Sequence, residues 1–469
     1  MGARGYSSKL RGIEKRDREV GEVQRVKLLV GIARAQIQTQ PSNGTIPAAE
    51  VHALNTILGI WGFVEYVNQL RAEPCTEFNT SLAVKCKCNG TVCHITGLKV
   101  YALEVRGQIP DELWSLTYLN DLDLGINYLT GPVSPSVGNL IQMQSMKLGH
   151  NSFSGELPKE LGKLTELTVL AFGTNNFSGP LPLELGNLAK LELLYFDSSG
   201  VSGPIPLTFA ALQNLRVMWA QDNELTGRIP DFIGSWSKLS QLRFWGNSLE
   251  GPIPSTFSKL TALEDLRISD LSNGGSSLAI LKDMKSLNVL ILRNNNISGS
   301  IPSNIGDYKN LSYLDLSFNS LTGSIPDSLF TLSSLSYLFL GNNKLTGNIP
   351  QQKNTSLLYI DLSYNELSGS FPSWINQTGL QLNPVANNFT IGSTNNSVLP
   401  SGLSCLQRNF PCGRNSPILH GHGTVVAYCG VVVVYCHTAV HGHGTAVAYC
   451  GVVVQHCCAL TLLASFDFP

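Results

Sequence analysis

Charged side chains are scarce in this sequence. Asp, Glu, Lys and Arg make up only 14% of its 469 residues, against a usual share of about 25%. The 32 basic and 33 acidic residues nearly cancel, so the chain has neither a basic excess to pair with a phosphate backbone nor an acidic tail. The composition therefore argues against nucleic acid as a partner. Hydrophobic residues reach 43%, which excludes wholesale disorder.

The sequence also lacks the motifs of catalysis. It contains no glycine-rich nucleotide loop, no V-A-I-K lysine, and no H-R-D or D-F-G motif, the residues that position phosphates and Mg²⁺ in kinases. No paired-carboxylate, nucleophile–base or cofactor motif is present either. We therefore expect this chain to carry out no chemistry and to need no cofactor and no metal.

A 24-residue period dominates the chain. Aligning the sequence on Asn127 or Asn319 reproduces the pattern L-x-x-L-x-L-x-x-N-x-L-x-G-x-I-P. The Asn column defines ladder positions, spaced by 24 from 103 to 343, with a last one at 365 that arrives two residues early. Nine of these twelve positions are Asn, and the exceptions are Leu103, Ser199 and Leu271. Such regularity predicts a solenoid of stacked repeats.

Each repeat predicts one coil of that solenoid. Leu314 and Leu316 alternate with polar neighbours, which is typical of a short half-buried strand. The amide of Asn319 offers donors and an acceptor to the backbone of the following turn. Gly323 permits a positive φ, and Pro326 fixes φ where no N–H is needed. Stacked coils bury the leucines, and twelve exceed the three or so that stability requires.

The repeat unit resembles the plant-type extracellular leucine-rich repeat. Three segments, Cys93–Leu119, Asp283–Gly306 and Ala386–Cys412, are similar to receptor-like serine/threonine kinases that join such repeats to a malectin-like domain. The similarity covers about residues 48 to 416, whereas the kinase, the malectin-like domain and a clear transmembrane helix are missing. The resemblance implies an apoplast-facing ectodomain.

The resemblance also implies the fold class. We expect an α/β-type leucine-rich repeat solenoid, a curved right-handed superhelix with a parallel β-sheet on its concave face. Short 3-10 or irregular segments would form the convex face, and disulfides would close the caps. A helix over Val51–Val67 is predicted to cover the first coil.

The chain divides into five segments. Residues 1–47 are irregular. Val26–Ala35 suggests a remnant signal peptide, but the charged stretch before it is too long for the basic region of a secretory signal. Residues 48–94 are a Cys-rich amino-terminal cap, 95–380 hold about twelve repeats of 24 residues, 381–417 form a carboxyl-terminal cap, and 418–469 are a low-complexity Val/Cys/His tail.

The tail has three interpretations. Its His and Cys residues could bind a soft metal, although their spacing matches no tetrahedral zinc module. Thr445–Leu463 has the length of a transmembrane helix but contains Gln455 and His456. We favour the third interpretation, a low-complexity end duplicated at a period of 21 residues, with any membrane contact limited to this doubtful anchor.

Cysteines flank the repeats, and none lies between residues 93 and 405. Even numbers at both ends indicate disulfide-closed caps in an oxidising compartment. Four amino-terminal cysteines allow three pairings, and a zinc site that includes His94 is the alternative. The predicted disulfides are Cys75–Cys86, Cys88–Cys93 and Cys405–Cys412.

Sequons support secretion to the cell surface or the apoplast. Ten asparagines occur in N-x-[ST], the acceptor pattern for N-glycosylation, although an Asn- and Ser-rich repeat generates some by accident. The candidates are Asn43, Asn79, Asn89, Asn176, Asn296, Asn310, Asn354, Asn376, Asn388 and Asn395.

Candidate binding residues lie two, four and six positions before each ladder position. These positions alternate with the leucines, so we expect them to point out of the concave sheet. Aromatic and Arg side chains, which often carry interface binding energy, gather there between residues 193 and 293. The ligand-binding candidates are Tyr195, Asp197, Trp219, Gln221, Arg243, Trp245, Arg267 and Arg293.

The alternative for Trp219 and Trp245 is that they have no binding role and merely stack on neighbouring coils.

Two further features rank below these candidates. A second strip, of lower rank, comprises Tyr313, Tyr337, Phe339 and Tyr359. After Leu271 the G-x-I-P segment is replaced by SNGGSSLAILKDM, which predicts a loop or helix that emerges beside Arg267.

Two functional hypotheses follow. The first is a recognition module, secreted or membrane-tethered, that binds a peptide, a protein or a cell-wall fragment on its concave face for cell-surface signalling. A co-receptor ectodomain would be a further partner. The second is a secreted inhibitor of a wall-degrading enzyme. An acidic peptide or protein suits the arginines, whereas a carbohydrate favours aromatic platforms with few charges.

Overall fold

The computed structural model describes residues 44–64 and 81–390, together with the strands Val432–His441 and Thr445–Val454. Several predicted features lie outside these residues. They are the signal segment Val26–Ala35, the cysteines Cys75, Cys405 and Cys412, and the sequons Asn43, Asn79 and Asn395.

The amino-terminal cap begins with a helix, Ala48–Ile60. Its buried side includes Leu54, Ile57 and Leu58, each at most 1% exposed. The predicted helix Val51–Val67 runs past this end at Ile60, and its last three residues, 65–67, lie outside the described residues. Gly62 takes a positive φ of 84° and donates its N–H to the carbonyl of Gly59, so the backbone turns out of the helical path there.

An antiparallel hairpin, Leu82–Asn89 and Val92–Val100, completes this cap. A disulfide joins Cys88 to Cys93, which face each other across the hairpin. Cys86 is also disulfide-bonded, and the partner predicted for it lies outside the described residues. Because Cys86, Cys88 and Cys93 are all disulfide-bonded, they offer no free thiolate to the alternative zinc site. Glu50 ties the helix to the hairpin by accepting from the backbone N–H of Ile95 at 2.8 Å.

The concave sheet continues from Val92–Val100 as a parallel sheet with one short strand per coil. Its twelve further strands are Asp121–Asp123, Ser145–Lys147, Val169–Ala171, Leu193–Tyr195, Val217–Trp219, Gln241–Arg243, Asp265–Arg267, Val289–Ile291, Tyr313–Asp315, Tyr337–Phe339, Tyr359–Asp361 and Gln381–Asn383. Central residues such as Leu242 and Leu314 are fully buried, which confirms the predicted solenoid with its parallel sheet. The last strand lies within the segment assigned to the carboxyl-terminal cap.

Single turns form the convex side. The 3-10 turns are Asp111–Ser115, Pro135–Asn139, Lys159–Lys163, Leu183–Asn187, Leu207–Ala211, Asp231–Ser235, Ser255–Lys259, Leu278–Leu281, Ser303–Asp307 and Ser373–Asn376, and Asp327–Phe330 is α-helical. Most of them follow directly after a Pro, whose fixed φ suits the start of a helical turn.

A second set of short strands runs beside the ladder positions as three parallel sheets. The first holds Arg106–Gly107, Tyr128–Gly131, Ser152–Glu156 and Asn176–Ser178, and the second holds Ser202–Gly203, Glu224–Arg228 and Ser248–Glu250. The third holds Ser276–Ser277, Ile297–Ser300, Ser320–Ser324, Lys344–Asn348, Glu366–Gly369 and Asn388–Phe389.

The asparagine ladder bonds each coil to its predecessor, as predicted. The side-chain amide of Asn319 donates to the carbonyls of Leu292 at 2.9 Å and Leu316 at 3.0 Å. Its Oδ1 accepts from the backbone N–H of Ile297 at 2.9 Å. The residue before it, Phe318, has a φ of 57°, a region that bulky residues rarely adopt. The ladder hydrogen bonds therefore hold the turn in a conformation that its own sequence disfavours.

The irregular repeat after Leu271 does not emerge from the solenoid, so the predicted loop or helix is wrong. Ser276–Ser277 is the first strand of the third sheet beside the ladder positions, and Leu278–Leu281 forms the convex turn. Leu278 and Leu281 are buried, and Ser276 Oγ accepts from the backbone N–H of Ile253 at 2.9 Å. These leucines fill the core and the serine bonds the coil, so the missing G-x-I-P segment is replaced without an insertion.

The described residues fall into two compact units. The repeats up to Ser368, with Gly379–Pro384, form the first. The second includes Gly369–Thr378, residues 385–390 and a hairpin in which Val432–His441 pairs antiparallel with Thr445–Val454. The first ten residues of the proposed transmembrane segment are thus a strand. Among the described residues, no helix has both the length and the apolar character that a membrane crossing needs.

Candidate ligand-binding site

Five concave side chains from four neighbouring coils meet in one network, which we call the arginine cluster. The register pairs Tyr195 with Trp219, Trp219 with Arg243, and Arg243 with Arg267. Asp265 lies two residues before Arg267 on the same strand. Side chains alternate along each strand, and the central residue of each strand points into the core. The five side chains of the cluster therefore share the concave face.

Trp219 lies between its neighbours in this cluster. The Arg243 guanidinium is 3.9 Å from the Trp219 ring centroid, and the Tyr195 ring meets Trp219 edge-on at 4.9 Å. The indole N–H donates to Gln241 Oε1 at 3.0 Å. Trp219 therefore packs against both neighbouring coils, and one face of its ring is covered by a cation.

Asp265 binds both arginines. Nε and Nη2 of Arg243 donate to its Oδ2 at 3.2 and 2.8 Å. Arg267 donates through Nε to Oδ1 at 2.7 Å and through Nη2 to Oδ2 at 3.0 Å. The side chains of Arg243, Arg267 and Asp265 are only 19%, 16% and 10% exposed. Although they lie on the concave face, both arginines are mostly buried, because one carboxylate orders both of them. Sequence reasoning left Asp265 out of the site, although an acid two residues before Arg267 was a signal for it.

Burial shifts the pKa of two side chains in this cluster. It lowers the pKa of Arg243, and the negative charge of Asp265 opposes that change. Burial also raises the pKa of Tyr195, while the nearby positive charge of Arg243 acts in the opposite direction. Since arginine ordinarily stays protonated in proteins, we take the cluster as two cations around one carboxylate.

The remaining candidates each lie two positions before a ladder position, and none of them is one of the five side chains of the cluster. Asp197 interacts electrostatically with Arg243. Gln221 is only 7% exposed, and Trp245 is half-buried. Arg293 is not part of the cluster, because its guanidinium lies 4.2 Å from the ring centroid of Phe318.

A second concave feature, the tyrosine row, comprises Tyr313, Tyr337 and Tyr359. The first two rings stack at 5.4 Å between centroids, and the last two stack at 4.6 Å with planes only 14° apart. Phe339 packs against Tyr313 at 5.5 Å. The rings cover one another's faces, so the row presents mainly ring edges to a ligand.

Two buried carboxyl groups, absent from the predicted site, lie beside the tyrosine row. Asp315 Oδ1 accepts from the backbone N–H of Ser317 at 2.9 Å and from its hydroxyl at 2.5 Å. Asp361 Oδ1 accepts from the backbone N–H of Ser363 at 2.9 Å. Burial raises the pKa of both carboxyl groups. A D-L-S motif marks both positions in the sequence.

Most of the described sequons lie outside the concave sheet. Asn354 is half-buried, and its Oδ1 accepts from the backbone N–H of Ser356 at 2.9 Å. Asn89 is exposed at the end of Leu82–Asn89, the cap strand at the edge of this sheet. The other five are exposed and lie outside every strand of the sheet, and they are Asn176, Asn296, Asn310, Asn376 and Asn388. Glycans on these five would leave the concave strand residues uncovered.

Comparison with known proteins identifies the repeats. The family described as leucine-rich repeat matches residues 280–347, 238–260 and 356–377. A probable LRR receptor-like serine/threonine-protein kinase of Arabidopsis thaliana, At1g56130, is 51% identical over 99 residues, which are 18% of this chain and 10% of that protein. The matched part is therefore a small fraction of the relative's length.

Solved receptor ectodomains share the fold. The LRR ectodomain of the Arabidopsis thaliana membrane receptor kinase GASSHO1/SCHENGEN3, in complex with CASPARIAN STRIP INTEGRITY FACTOR 2, has a TM-score of 0.58 and 31% identity over 64% of this chain and 39% of its own. The plant peptide hormone receptor RGFR1, in complex with RGF2, has a TM-score of 0.58 and 34% identity over 61% of this chain and 47% of its own. This chain is thus similar to less than half of each structure.

Proposed function

We propose that this leucine-rich repeat chain, whose relatives are plant receptor-like kinases, is a non-catalytic recognition module at the cell surface or in the apoplast. It binds a peptide or protein on its concave face, and the arginine cluster is the observation that supports this proposal. Trp, Tyr and Arg are the residues enriched among interface hot spots, and here all three types lie in contact.

The cluster is ordered before any ligand arrives. Both arginines are held by Asp265 and one of them also by Trp219. Immobilising a flexible side chain at an interface costs about 0.5–1.5 kcal/mol, and this cost is already met in the folded chain. A ligand that contacts the cluster therefore loses less free energy to ordering than one that contacts a free arginine.

The geometry favours a peptide or protein over a wall polysaccharide. A sugar ring binds by stacking on an open aromatic face. In the arginine cluster Arg243 covers one face of Trp219, and in the tyrosine row the rings cover one another, which leaves Trp245 as the open aromatic ring of this face. The two arginines suit a partner with acidic groups. The two receptor structures described above were solved with their own partners bound, which supports the same class of ligand.

A comparative pull-down tests this proposal. The secreted chain, a Trp245→Ala variant and a Leu207→Ala control would be incubated with apoplastic extract, and the retained species identified by mass spectrometry. Leu207 is 78% exposed and lies on the convex side, so its removal should not affect a concave site. We expect one species that the wild type and the control retain and that the Trp245 variant retains at least tenfold less.

Two results would contradict the proposal. Equal retention by all three proteins would remove the concave face as the binding surface. Capture of a wall-degrading enzyme that loses activity on binding would favour the inhibitor hypothesis instead.

A further inference from the structure

The residue directly before a ladder position turns the chain through the left-handed region. Asn294 and Asn342 hold this position in two coils, with φ values of 52° and 56°, and asparagine adopts this conformation more readily than most residues. Phe318 and Tyr364 hold it in two others, with φ values of 57° and 53°, although bulky side chains rarely do so. The turn itself therefore does not require an aromatic ring.

Neither of these rings belongs to the core. Phe318 is 44% exposed and Tyr364 is 58% exposed. The Tyr364 side chain makes no hydrogen bond and no ring contact among the described residues. Aromatic side chains are enriched at protein interfaces, and these two rings are open to an approaching molecule.

Backbone hydrogen bonds place the two rings along one edge of the concave sheet. The backbone N–H that follows Phe318 donates to the carbonyl of Asn342 at 3.1 Å, and the one that follows Asn342 donates to the carbonyl of Tyr364 at 3.1 Å. Phe318 and Tyr364 are thus two coils apart, about 10 Å at the usual strand spacing. Together with Arg293, which contacts Phe318, these three residues form what we call the rim surface.

Arg293 supplies the charge of the rim surface. Its guanidinium lies 4.2 Å from the centroid of the Phe318 ring, a cation–π contact that orders the side chain. Asp315 and Asp361 interact with this charge through space, but the guanidinium has neither a hydrogen bond nor an ion pair among the described residues. Arg293 is therefore an ordered cation whose N–H groups remain available to a carboxylate of another molecule.

We propose that the rim surface binds a segment of a partner protein that carries an acidic side chain beside an apolar one. The carboxylate pairs with Arg293, and the apolar side chain packs on the Tyr364 ring. A neutral sugar would leave the guanidinium without a counter-charge, and Arg293 already covers one face of Phe318. This site goes beyond the proposed function, because it lies outside the concave strands and shares no residue with the arginine cluster.

Coupling between a ligand carboxylate and Arg293 tests the proposal. Random 12-residue peptides on phage would be selected on the secreted chain, with and without its N-glycans, because the sequon Asn296 lies three residues after Arg293. Peptides that bind Tyr364→Asn at least tenfold more weakly would be resynthesised with each acidic residue changed to its amide. One such change should weaken binding to the wild type at least tenfold and have no effect on Arg293→Gln. Arg228→Gln is the matched control, since Arg228 is exposed and has no ion pair among the described residues.

A second measurement separates binding from folding. Tyr364→Asn introduces the residue type that Asn342 supplies one coil earlier, so its melting temperature should not fall. Tyr128→Asn is the control for loss of an exposed ring, because Tyr128 is 46% exposed and has Arg106 4.7 Å from its ring centroid. This control should bind the selected peptides as the wild type does.

The outcomes are distinct. Coupling that Arg293→Gln removes and Arg228→Gln retains supports the rim surface. The proposal is overturned if no selected peptide depends on Tyr364, if no acidic position couples to Arg293, or if Tyr364→Asn lowers the melting temperature by several degrees, since the ring would then serve folding. Neutral wall oligosaccharides would be tested on the same proteins, and tighter Tyr364-dependent binding of one of them would replace the proposal with a sugar platform. None of these results changes the standing of the arginine cluster.

Discussion

The arginine cluster and the tyrosine row lie on the same concave sheet and are built differently. In the cluster, Asp265 links Arg243 and Arg267 across two coils. In the row, Tyr313, Tyr337 and Tyr359 are linked by stacked rings. The exposure of a concave side chain is therefore decided mainly by what the next coil places beside it.

The carboxyl groups show the same difference. Asp265 meets two guanidinium groups, which stabilise its charge. Asp315 instead lies in register with Ile291 and Phe339. Burial raises its pKa, and the positive charge of Arg293 acts in the opposite direction. The cluster thus pairs its carboxylate directly with two guanidinium groups, whereas the carboxyl groups beside the tyrosine row are governed mainly by burial.

Removing the shared carboxylate should have the largest effect on this contrast. Asp265→Ala leaves two mostly buried guanidinium groups without their counter-charge, and the expected loss is about 3 kcal/mol of unfolding free energy, measured by denaturant titration. Asp307→Ala is the control, because its ion pair with Lys285 is more than half exposed and should contribute about 0–1 kcal/mol. Equal losses from the two variants would show that burial does not strengthen the cluster.

The two tryptophans should differ in their effect on stability. Trp219→Ala removes a cation–π contact, an edge-to-face ring contact and a hydrogen bond, with an expected loss of about 2 kcal/mol. Trp245→Ala, which removes no ring contact among the described residues, should lower the melting temperature less. A larger loss from Trp245→Ala would mean that Trp245, rather than Trp219, holds this face together.

The tyrosine row should depend on its rings rather than on its hydroxyl groups. Tyr337→Ala removes two stacked contacts, each worth about 0.5–1.5 kcal/mol beyond area burial. Tyr337→Phe retains both rings and should change stability by no more than about 0.5 kcal/mol. Thermal unfolding of both variants checks this expectation. A comparable loss from Tyr337→Phe would instead assign the stability to the phenol hydroxyl.

The smallest expected effect is the pH dependence of stability that comes from the two carboxyl groups beside the tyrosine row. Burial raises the pKa of Asp315 and Asp361, so the folded chain holds these protons to a higher pH than the unfolded chain does. Each group's stabilising contribution is thus complete below the ordinary Asp pKa of about 3.9 and is lost as pH rises through the raised value.

Asp315→Asn removes this titration and keeps an acceptor for the N–H of Ser317. Relative to the wild type, the variant should gain stability as pH rises above about 4, as measured by melting temperature at each pH. A constant difference between Asp315→Asn and the wild type across the series would contradict the expected burial effect.

Much of the fold could be predicted because it depends on local pattern. The alternation of Leu314 and Leu316 determines which side of a strand is buried, and the Asn column determines where each coil bonds to its predecessor. The end of the first helix at Ile60 was missed, since a hydrophobic pattern extended past the Gly62 turn. The repeat after Leu271 was also misjudged, because its leucines fill the core without the usual Pro.

For this protein, the 24-residue period by itself determined the solenoid, the parallel sheet and the identity of the residues on the concave face. Only the tertiary structure decided that Arg243 and Arg267 share Asp265, that Trp219 is held between neighbours, and that the guanidinium of Arg293 lies over the ring of Phe318. The physical reason is distance along the sequence. Strand alternation acts between adjacent residues, whereas these contacts join side chains about one repeat apart, whose packing depends on three-dimensional register and rotamer.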